Sequence, residues 1–377
     1  MSGAGEVRVC EVRVCEVVKT LDLGGAETLL VERLLRAPRA GKRYTVVCLR
    51  ASTGELIDRL RAAGVRVVDL SRVPGPLRYL ALAATVWRLA PHVVNAHSPA
   101  VAIVLRPLVR LGRPRPRLVC TVHSVAFRPV TYVLDRLTRR LNDRTVAVSP
   151  IVARARTVRG ARGVLVRVHG VDVREQRRRA ARADEARRGF GVPPEAFLLV
   201  CVANLRPVKN HRLLVQAARR VLDARPDALF LLAGDGPLRH EIAAEVRALG
   251  LADRVRLLGR VPAASRLIAA ADLLVLSSRY EALPVTVMEA LAAGVPVVAP
   301  AVGGIPDIVT TGRNGILTAP GRADALADGI LRAMRPDVHA TLRAGAAATP
   351  PVDVAETALW FDGLYDELLK ARTGAGR

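Results

Sequence analysis

Short runs of β-branched and other apolar residues alternate with longer helical patterns along most of this chain. The first series of such runs predicts strands over residues 12–19, 44–49, 65–70, 93–96, 118–123, 145–148 and 164–168. Helical patterns, for example over 27–36 and 56–63, separate these runs. Strands that alternate with helices form a parallel sheet covered by helices on both faces, so the sequence predicts an α/β fold.

The alternation stops after residue 172 and starts again near residue 194. The intervening stretch is rich in arginine and alanine, has no strand pattern and ends in Gly191-Val-Pro-Pro, which is typical of a domain boundary. The second series predicts strands over residues 197–202, 228–233, 255–258, 273–276 and 295–299. A chain of 377 residues also exceeds what one hydrophobic core usually serves.

These patterns predict two doubly wound, Rossmann-like domains that face each other across a cleft. We assign residues 1–172 to an N-terminal domain, 173–193 to a linker, 194–350 to a C-terminal domain, and 351–377 to a helix expected to pack back on the N-terminal domain. Ligands of doubly wound sheets bind beyond the carboxyl ends of the strands, where the strand order reverses. We therefore expect the ligand site in the cleft.

The first fifteen residues contain a duplication, because Glu6-Val-Arg-Val-Cys10 is followed directly by Glu11-Val-Arg-Val-Cys15. Only one copy can form the first core strand, and the second copy leads directly into the glycine turn at Gly24. We therefore place the strand in the second copy. The first copy is compatible with an extension, an edge strand or a misplaced start.

Apolar residues make up 51% of the chain, as in globular domains, but no apolar run approaches the ~20 residues of a membrane-spanning helix. The N-terminus lacks the apolar segment of a secretory signal. We therefore expect a cytoplasmic protein. The five cysteines have no zinc-ligand spacing, and we interpret them as reduced thiols that pack like small apolar side chains.

The formal net charge of +24 comes almost entirely from arginine. Such a charge is compatible with nucleic-acid binding, with attraction to anionic lipid head groups or an anionic acceptor, and with a merely solvated surface. We do not expect nucleic acid as a partner, because the densest cluster, residues 174–188, has no aromatic side chain to stack on bases. The other two interpretations stay open. The first of them places the protein peripherally at the inner face of the plasma membrane.

Two glutamates flank a predicted helix start beyond the strand at 273–276. Glu281 lies in the loop, Pro284 suits the first turn of a helix, and Glu289 lies one to two turns into it. Carboxylates accept hydrogen bonds from diols, and the N–H groups of a helix start near Leu283 suit a phosphate. By itself, this pair equally fits a capping carboxylate and a solvated helix residue.

The stretch from Glu281 to Val298 resembles the signature of the retaining glycosyltransferases of family 4, in which Glu-x7-Glu precedes Gly-x-Pro-Val-Val. The resemblance implies a GT-B fold, with the acceptor side in the N-terminal domain and the nucleotide sugar in the C-terminal domain. It also implies that Glu281 contacts the transferred sugar and that Glu289 contacts the ribose.

A second motif of that family, Gly-Arg-Leu-x-x-x-Lys-Gly, is matched by Ala-Asn-Leu-Arg-Pro-Val-Lys-Asn at residues 203–210. Lys209 occupies the position of the family's diphosphate-binding lysine. Asn204 stands in place of the arginine, which is a departure from the pattern. Arg206, two residues further on, is a candidate substitute.

Further matches extend the resemblance over nearly the whole chain. Gly24 and Gly25 match a glycine-rich loop in which bare backbone approaches the donor phosphates, although a simple turn also fits. Gly234 matches a similar turn after a strand. His123 ends an N-domain strand, and in related enzymes a histidine at this position approaches the sugar or the acceptor. A satisfied polar residue is the alternative for His123.

The resemblance implies transfer of a hexosyl group from a UDP- or GDP-sugar to a saccharide, lipid-linked or small-molecule hydroxyl, with retention of configuration and no cofactor. Lys209, Glu281 and His123 are the expected catalytic residues. Lys209, the Gly24–Gly25 amides and the helix start near Leu283 would receive the negative charge of the leaving diphosphate. The sequence contains no Asp-x-Asp pair, which fits a mechanism without a metal ion.

Three other functions stay open on the sequence alone. The first is a sugar-nucleotide epimerase of the same fold. The second is a nicotinamide-dependent oxidoreductase, although the turn at Gly234 lacks the third glycine of the dinucleotide fingerprint. The third is a non-catalytic basic protein that binds membranes or nucleic acid.

Overall fold

The computed structural model describes residues 11–22, 24–75, 77–111 and 115–373. The chain forms two compact units. The first unit holds the described residues up to His169 together with those from Val354 onward, and the second holds Gly170–Asp353. The first copy of the duplicated segment, Glu6 to Cys10, lies outside the described residues.

A parallel sheet of seven strands forms the centre of the first unit. Its strands are β1 Val12–Thr20, β2 Lys42–Arg50, β3 Arg66–Asp69, β4 Val93–Ala96, β5 Arg117–Val122, β6 Arg144–Ala147 and β7 Val164–Val166. They are arranged in the order β3-β2-β1-β4-β5-β6-β7. The central strands are almost fully buried, as the valine-rich runs of a sheet covered on both faces require.

Six helices connect these strands. They are α1 Gly25–Leu35, α2 Glu55–Ala62, α3 Arg78–Leu89, α4 Pro99–Leu111, α5 Pro129–Thr138 and α6 Pro150–Arg154. A 3-10 turn, Arg139–Leu141, follows α5 directly.

The second unit is built around a parallel sheet of six strands in the order β10-β9-β8-β11-β12-β13. These strands are β8 Phe197–Val202, β9 Ala228–Ala233, β10 Val255–Gly259, β11 Leu273–Val275, β12 Val297–Pro300 and β13 Gly315–Thr318. Its helices are α7 Val173–Ala180, α8 Ala183–Gly189, α9 His211–Ala224, α10 Arg239–Ala248, α11 Ser265–Ala269, α12 Val285–Ala292, α13 Ala323–Ala333 and α14 Pro336–Ala348. A 3-10 turn, Pro207–Lys209, precedes α9.

The final helix, α15 Val354–Thr373, belongs to the first unit. Phe361, Leu364, Tyr365 and Leu368 recur at helical spacing, are buried, and pack into the core beside the first sheet. Among the described residues, no helix combines the length and the apolarity that crossing a membrane requires.

The predicted strands agree with the observed ones to within two residues at either end. The exception is β13, which the sequence analysis missed because this four-residue strand begins with a glycine and is shorter than most strand patterns.

The stretch assigned to a linker, 173–193, is folded instead. It forms α7 and α8 within the second unit. Asp172 caps α7 by accepting a hydrogen bond from the N–H of Glu175 at 3.0 Å. Val173, Gln176 and Ala186 are buried, so a single face of each arginine-rich helix packs inward. The sequence pattern does not reveal this packing, because the buried face of each helix is narrow and lies among many charged residues.

The order of strands reverses once in each sheet. In the first sheet, β1 lies between β2 and β4, and in the second, β8 lies between β9 and β11. The carboxyl ends of β1 and β4, and of β8 and β11, therefore flank the two switch points. These are the positions at which doubly wound sheets bind ligands.

Candidate functional site

The carboxyl end of β8 leads into the loop that carries Lys209. This loop ends in the 3-10 turn, and Asn210 then caps α9 in the left-handed conformation, with φ at +51°. Asparagine tolerates that conformation better than most residues. The N–H of Lys209 donates to the carbonyl of Arg206 at 2.9 Å, which closes the turn. The backbone from which the lysine side chain projects is thus held on both sides.

The loop beyond β11 supplies a carboxylate partner for this lysine. Lys209 Nζ lies 2.6 Å from Glu281 Oε1. Ser278 Oγ donates to the same oxygen at 2.7 Å. Ser277 Oγ donates to the backbone carbonyl of Lys209 at 2.9 Å. These bonds join the loops after β8 and β11 at the switch point of the second sheet.

The two members of the ion pair differ in exposure. The side chain of Lys209 is 26% exposed, whereas that of Glu281 is 9% exposed. An ammonium has three N–H donors, and the contact with Glu281 uses one of them. The ammonium is therefore the member of the pair that solvent and ligands reach more easily.

Two buried side chains near this pair, His211 and Cys201, are uncharged. His211 is buried, and burial together with the charge of Lys209 lowers its pKa to about 4. Burial raises the pKa of Cys201, whose Sγ lies 3.9 Å from His211 Nε2, to about 12. Neither side chain adds charge beside Lys209 at neutral pH.

Tyr280 directly precedes Glu281 in the sequence. Its hydroxyl is buried and has no hydrogen-bond partner among the described residues. Burial and the charge of Glu281 raise its pKa, so this phenol keeps its proton. A buried polar group without a partner costs about 1–3 kcal/mol. Tyr280 therefore marks a place beside Glu281 where hydrogen bonding within the protein is incomplete.

Glycines allow two further loops to pack directly on this part of the second unit. Gly303 has a φ of +57°, and a Cβ atom there would collide with the carbonyl of Glu281. The N–H of Gly304 donates to that same carbonyl at 2.9 Å. Gly234 has a φ of +144°, and a Cβ atom there would collide with the carbonyl of Ala203. Gly234 thus lets the turn after β9 approach the loop after β8, which is a packing role at the predicted donor site.

The other predicted donor residues of this unit lie on the loops after β8 and β11 and on α12. Asn204 and Arg206 are exposed. Leu283 is half-buried in the loop before α12, and Glu289 is half-buried at the fifth position of that helix. Among the described residues, no group of three or more histidine, cysteine or acidic side chains is arranged to hold a metal ion.

Gly24 and Gly25 follow β1 in the first unit. Gly24 caps α1, and its N–H donates to the carbonyl of Asp22 at 2.7 Å. A Cβ atom on Gly24 would collide with the carboxylate of Glu27, which accepts a hydrogen bond from Thr20 Oγ1 at 2.7 Å. The absence of a side chain at Gly24 therefore allows this carboxylate to fold back beneath the turn.

Two histidines follow β4 and β5 in the first unit. His97 Nδ1 lies 3.3 Å from His123 Nε2. The other ring nitrogen of His97, Nε2, lies 2.7 Å from Glu16 Oε2. The three side chains thus form a continuous polar chain from the buried middle of β1 to the half-buried ring of His123.

Glu16 is fully buried and has three side-chain partners. Arg33 Nη2 lies 2.8 Å from Oε1, the Tyr365 hydroxyl donates to the same oxygen at 2.8 Å, and His97 contacts the other oxygen. Burial alone would raise the pKa of Glu16, but the Arg33 guanidinium and His97 lower it to about 2. Glu16 is therefore a carboxylate at neutral pH.

Burial raises the pKa of a carboxyl group such as Glu16, but it lowers the pKa of the neighbouring imidazoles. Together with His97 and Arg33, it lowers the pKa of His123 to about 3. Burial also lowers the pKa of His169, whose ring centre lies 5.6 Å from that of His123. Both rings are neutral at pH 7, and a neutral imidazole has one donor nitrogen and one acceptor nitrogen.

Glu16, Arg33, Ser278 and Tyr280 were not among the predicted site residues. Glu16 did carry a signal, because it interrupts an apolar strand that a parallel sheet buries, and a buried carboxylate needs a partner. Ser278 and Tyr280 carried no such signal, because their burial and bonding depend on how the loop after β11 folds.

Two family profiles match the two halves of the chain. Glycosyltransferase Family 4 matches residues 23–174, and Glycosyl transferases group 1 matches residues 182–346. The chain is 30% identical over 333 residues to the 2-deoxystreptamine glucosyltransferase of Streptomyces kanamyceticus, over 84% of this chain and 83% of that protein. It is also 30% identical over 279 residues to the lipopolysaccharide core biosynthesis mannosyltransferase of Rhizobium meliloti, over 71% of this chain and 76% of that protein.

Among solved structures, Anabaena HepE in complex with UDP and glucose is similar in fold. Its TM-score is 0.82 at 23% sequence identity, over 94% of this chain and all of that chain. The likeness covers both Rossmann-like units and shows the GT-B fold.

Proposed function

The chain belongs to the glycosyltransferases of family 4 and group 1, and we propose that it moves a hexosyl group from a nucleoside-diphosphate sugar to a hydroxyl. The contact that carries this proposal is the ion pair between Lys209 and Glu281, 2.6 Å apart at the second switch point. A partly exposed cation beside a covered carboxylate suits a ligand that combines a diphosphate with sugar hydroxyls. Supporting evidence comes from HepE, which shares the fold and whose structure contains UDP and glucose.

In this proposal the ammonium of Lys209 binds the donor diphosphate and stabilises the charge that develops on it. Removing one such electrostatic group typically costs ~3–4 kcal/mol of transition-state stabilisation, or ~10²–10³ in rate. In the same proposal the start of α12 near Leu283 assists, because the N–H groups of a helix's first turn can bind phosphate.

Glu281 accepts hydrogen bonds from hydroxyls of the transferred sugar. A carboxylate has about four acceptor positions, and Lys209 and Ser278 occupy positions on one of its two oxygens. The second oxygen keeps acceptor capacity for a ligand. In the same scheme Glu289 binds the ribose hydroxyls, and Asn204, Arg206 and Gly234 line the diphosphate side.

The proposed reaction breaks the bond between the anomeric carbon and the diphosphate oxygen. The oxygen of the acceptor hydroxyl forms the new bond to that carbon, and its proton passes to the leaving diphosphate. We propose that the configuration is retained and that no metal ion or cofactor takes part. Lys209 then supplies the positive charge that a bridging metal ion supplies elsewhere.

We assign His123 a role on the sugar or acceptor side. Glu16 holds a proton on Nε2 of His97, which leaves Nδ1 of His97 to accept from Nε2 of His123. In that arrangement Nδ1 of the neutral His123 ring is an acceptor for a substrate hydroxyl. Glu16 and His97 are therefore positioning residues in this proposal, and His123 is the one that contacts substrate.

The acceptor is proposed to be a saccharide, lipid-linked or small-molecule hydroxyl. The names of the two relatives refer to 2-deoxystreptamine and to the lipopolysaccharide core. The net charge of +24 favours an anionic or membrane-borne acceptor over a neutral soluble one.

Nucleotide binding tests the donor assignment directly. Titration calorimetry with UDP and GDP should detect binding of one of them to the wild type. Lys209→Ala should weaken this binding at least tenfold, whereas Arg247→Ala, an exposed arginine on α10 of the same unit, should leave it unchanged. A lysine variant that binds as tightly as the wild type would refute the assignment of the donor site.

The reaction class is tested with the matching nucleotide sugar. Glu281→Gln should remove both donor hydrolysis and transfer while the variant keeps the wild-type unfolding midpoint. Release of an epimerised sugar in the absence of acceptor would identify an epimerase instead. Proton NMR of the product bond distinguishes retention from inversion.

A further inference from the structure

Helix α5 and the turn that follows it expose several apolar side chains, whereas Asp135 and Arg139 are buried. Val130 and Leu137 are each 73% exposed, Val133 is 55%, Leu134 is 44% and Leu141 is 36% exposed. Positions 130, 133, 134 and 137 have the spacing of one face of α5, and Leu141 follows in the turn. This is the reverse of the usual arrangement for a helix on the surface of a water-soluble domain.

The opposite side of α5 is anchored by charged groups. Asp135 is 3% exposed and is the buried residue of this helix. Arg106 Nη1 from α4 lies 2.7 Å from Asp135 Oδ1, and Arg139 Nη2 lies 3.0 Å from Asp135 Oδ2. Arg106 also donates to Thr138 Oγ1 at 3.0 Å.

These contacts fix the rotation of the helix about its axis. If α5 turned to bury its apolar stripe, Asp135 would leave the buried guanidinium groups of Arg106 and Arg139. Removing one partner of a buried ion pair is strongly unfavourable. The outward direction of Val133 and Leu137 is therefore a fixed feature of the fold.

The charge around the stripe has one sign. Arg128, Arg136 and Arg140 are exposed on this segment, and Asp135 is the single acidic residue between positions 128 and 141. The stripe is thus apolar along its centre and cationic at its margins. Contiguous exposed apolar surface of this kind marks an interaction site.

We propose that α5 docks the protein on an anionic lipid surface, with Val130, Val133 and Leu137 inserted among the head groups and the arginines on lipid phosphates. Charge complementarity selects this occupant. A second copy of the chain also carries a charge of +24 and would be repelled. A helix with an apolar face and basic margins lies in the plane of a membrane interface. This docking proposal does not depend on the donor site proposed above.

Co-sedimentation of the purified full chain with vesicles tests the proposal. The wild type should bind vesicles of phosphatidylcholine with 30% phosphatidylglycerol and should bind pure phosphatidylcholine far more weakly. Val133→Ser/Leu137→Ser should lower the partition coefficient about tenfold or more, because two apolar anchors are lost. Val166→Ser/Leu359→Ser is the matched control, since these side chains are 47% and 62% exposed in the same unit, and it should bind like the wild type.

A charge-reversal pair tests the electrostatic part. Each arginine near an anionic surface contributes about fivefold in binding, so Arg136→Glu/Arg140→Glu should reduce it at least ~25-fold. Arg247→Glu, on the second unit, should have no comparable effect. Equal urea midpoints for all variants will show that they are folded.

Three outcomes would overturn the proposal. Failure of the wild type to bind the anionic vesicles is one, and wild-type binding by Val133→Ser/Leu137→Ser is another. The third is a wild-type dimer in sedimentation velocity that the same serine pair converts to monomers, because the stripe would then be an interface between copies of this chain.

Discussion

The two units share a strand order around their switch points, yet they place the key carboxylate at different depths. In the first unit Glu16 lies in the middle of β1, is fully buried and is bonded on both oxygens. In the second unit Glu281 lies in the loop beyond β11 and pairs with Lys209, whose side chain is 26% exposed. Glu16 is enclosed within its unit, whereas Glu281 contacts a cation that solvent and ligands can reach.

This difference in depth suits one carboxylate to a structural role and the other to the binding role proposed above. A buried charge is tolerated only when protein groups satisfy it, so the donors around Glu16 are committed to the fold. A pair at a strand end keeps donor and acceptor capacity for a ligand, and contributes little stability because water screens it. The carboxylate within β1 thus stabilises its unit, whereas the carboxylate beyond β11 is the one that we propose for binding.

The largest expected effect is the loss of stability in Glu16→Ala. The substitution leaves the buried guanidinium of Arg33 without its counter-ion and the hydroxyl of Tyr365 without its acceptor. Breaking a buried pair in this way costs about 3–5 kcal/mol. Urea unfolding should show this loss, with faster hydrogen exchange in α15, to which Tyr365 belongs. Glu16→Gln keeps an acceptor oxygen and should lose less, and equal stability of the two variants would contradict the role of the charge.

Lys209→Met should lower activity strongly and stability only slightly. Transfer is expected to fall ~10²–10³-fold, while the free energy of unfolding changes by less than about 1 kcal/mol, because the pair is partly exposed. Turnover is measured with the nucleotide sugar that calorimetry identifies, and stability is measured by urea unfolding. A stability loss as large as that of Glu16→Ala would remove the distinction between the two switch points.

The sequence reveals most of this architecture because alternating strand and helix patterns depend on local residue types. Sequence motifs assigned Lys209 and Glu281 to one ligand site beyond the carboxyl ends of the strands, but they did not predict the direct contact between the two side chains. The hydrogen bonds from Ser277 and Ser278 and the cluster of side chains around Glu16 were not predicted. Arg33 and Tyr365 are 332 residues apart, and only the return of α15 to the first unit brings both to Glu16.

Acid should weaken the first unit more steeply than the second. His123 has a pKa of about 3, the pKa of His169 is also lowered, and both belong to the first unit, whereas His211, with a pKa of about 4, belongs to the second. Their pKa is ~6.5 in the unfolded chain. As the pH falls below ~6.5 the unfolded state binds protons that the folded state does not, so stability falls by up to ~1.4 kcal/mol per pH unit for each histidine.

Hydrogen exchange at pH 7.0 and 5.5, corrected for intrinsic rates, measures this difference. Protection in β4 and β5 should fall further than protection in β8 and β9. His211→Asn should flatten the response of the second unit and leave that of the first unchanged. The lowered pKa of Glu16 adds no loss in this interval, because its unfolded value lies near 4.5 and its contribution is lost only as the pH falls toward about 2. Equal slopes in the two units would contradict the assignment of these histidines as neutral in the folded protein.

The smallest effect, on nucleotide affinity, is expected for Arg206→Ala. This variant tests whether binding at the second switch point involves residues beyond Lys209 and Glu281. Arg206 is exposed, and a cation in water contributes about 1 kcal/mol or less to an ionic contact. Nucleotide affinity should therefore fall by less than about fivefold, against at least tenfold for Lys209→Ala, and Arg247→Ala serves as the control for removal of an exposed arginine. If calorimetry shows a loss for Arg206→Ala equal to that for Lys209→Ala, Arg206 replaces the arginine that position 204 lacks.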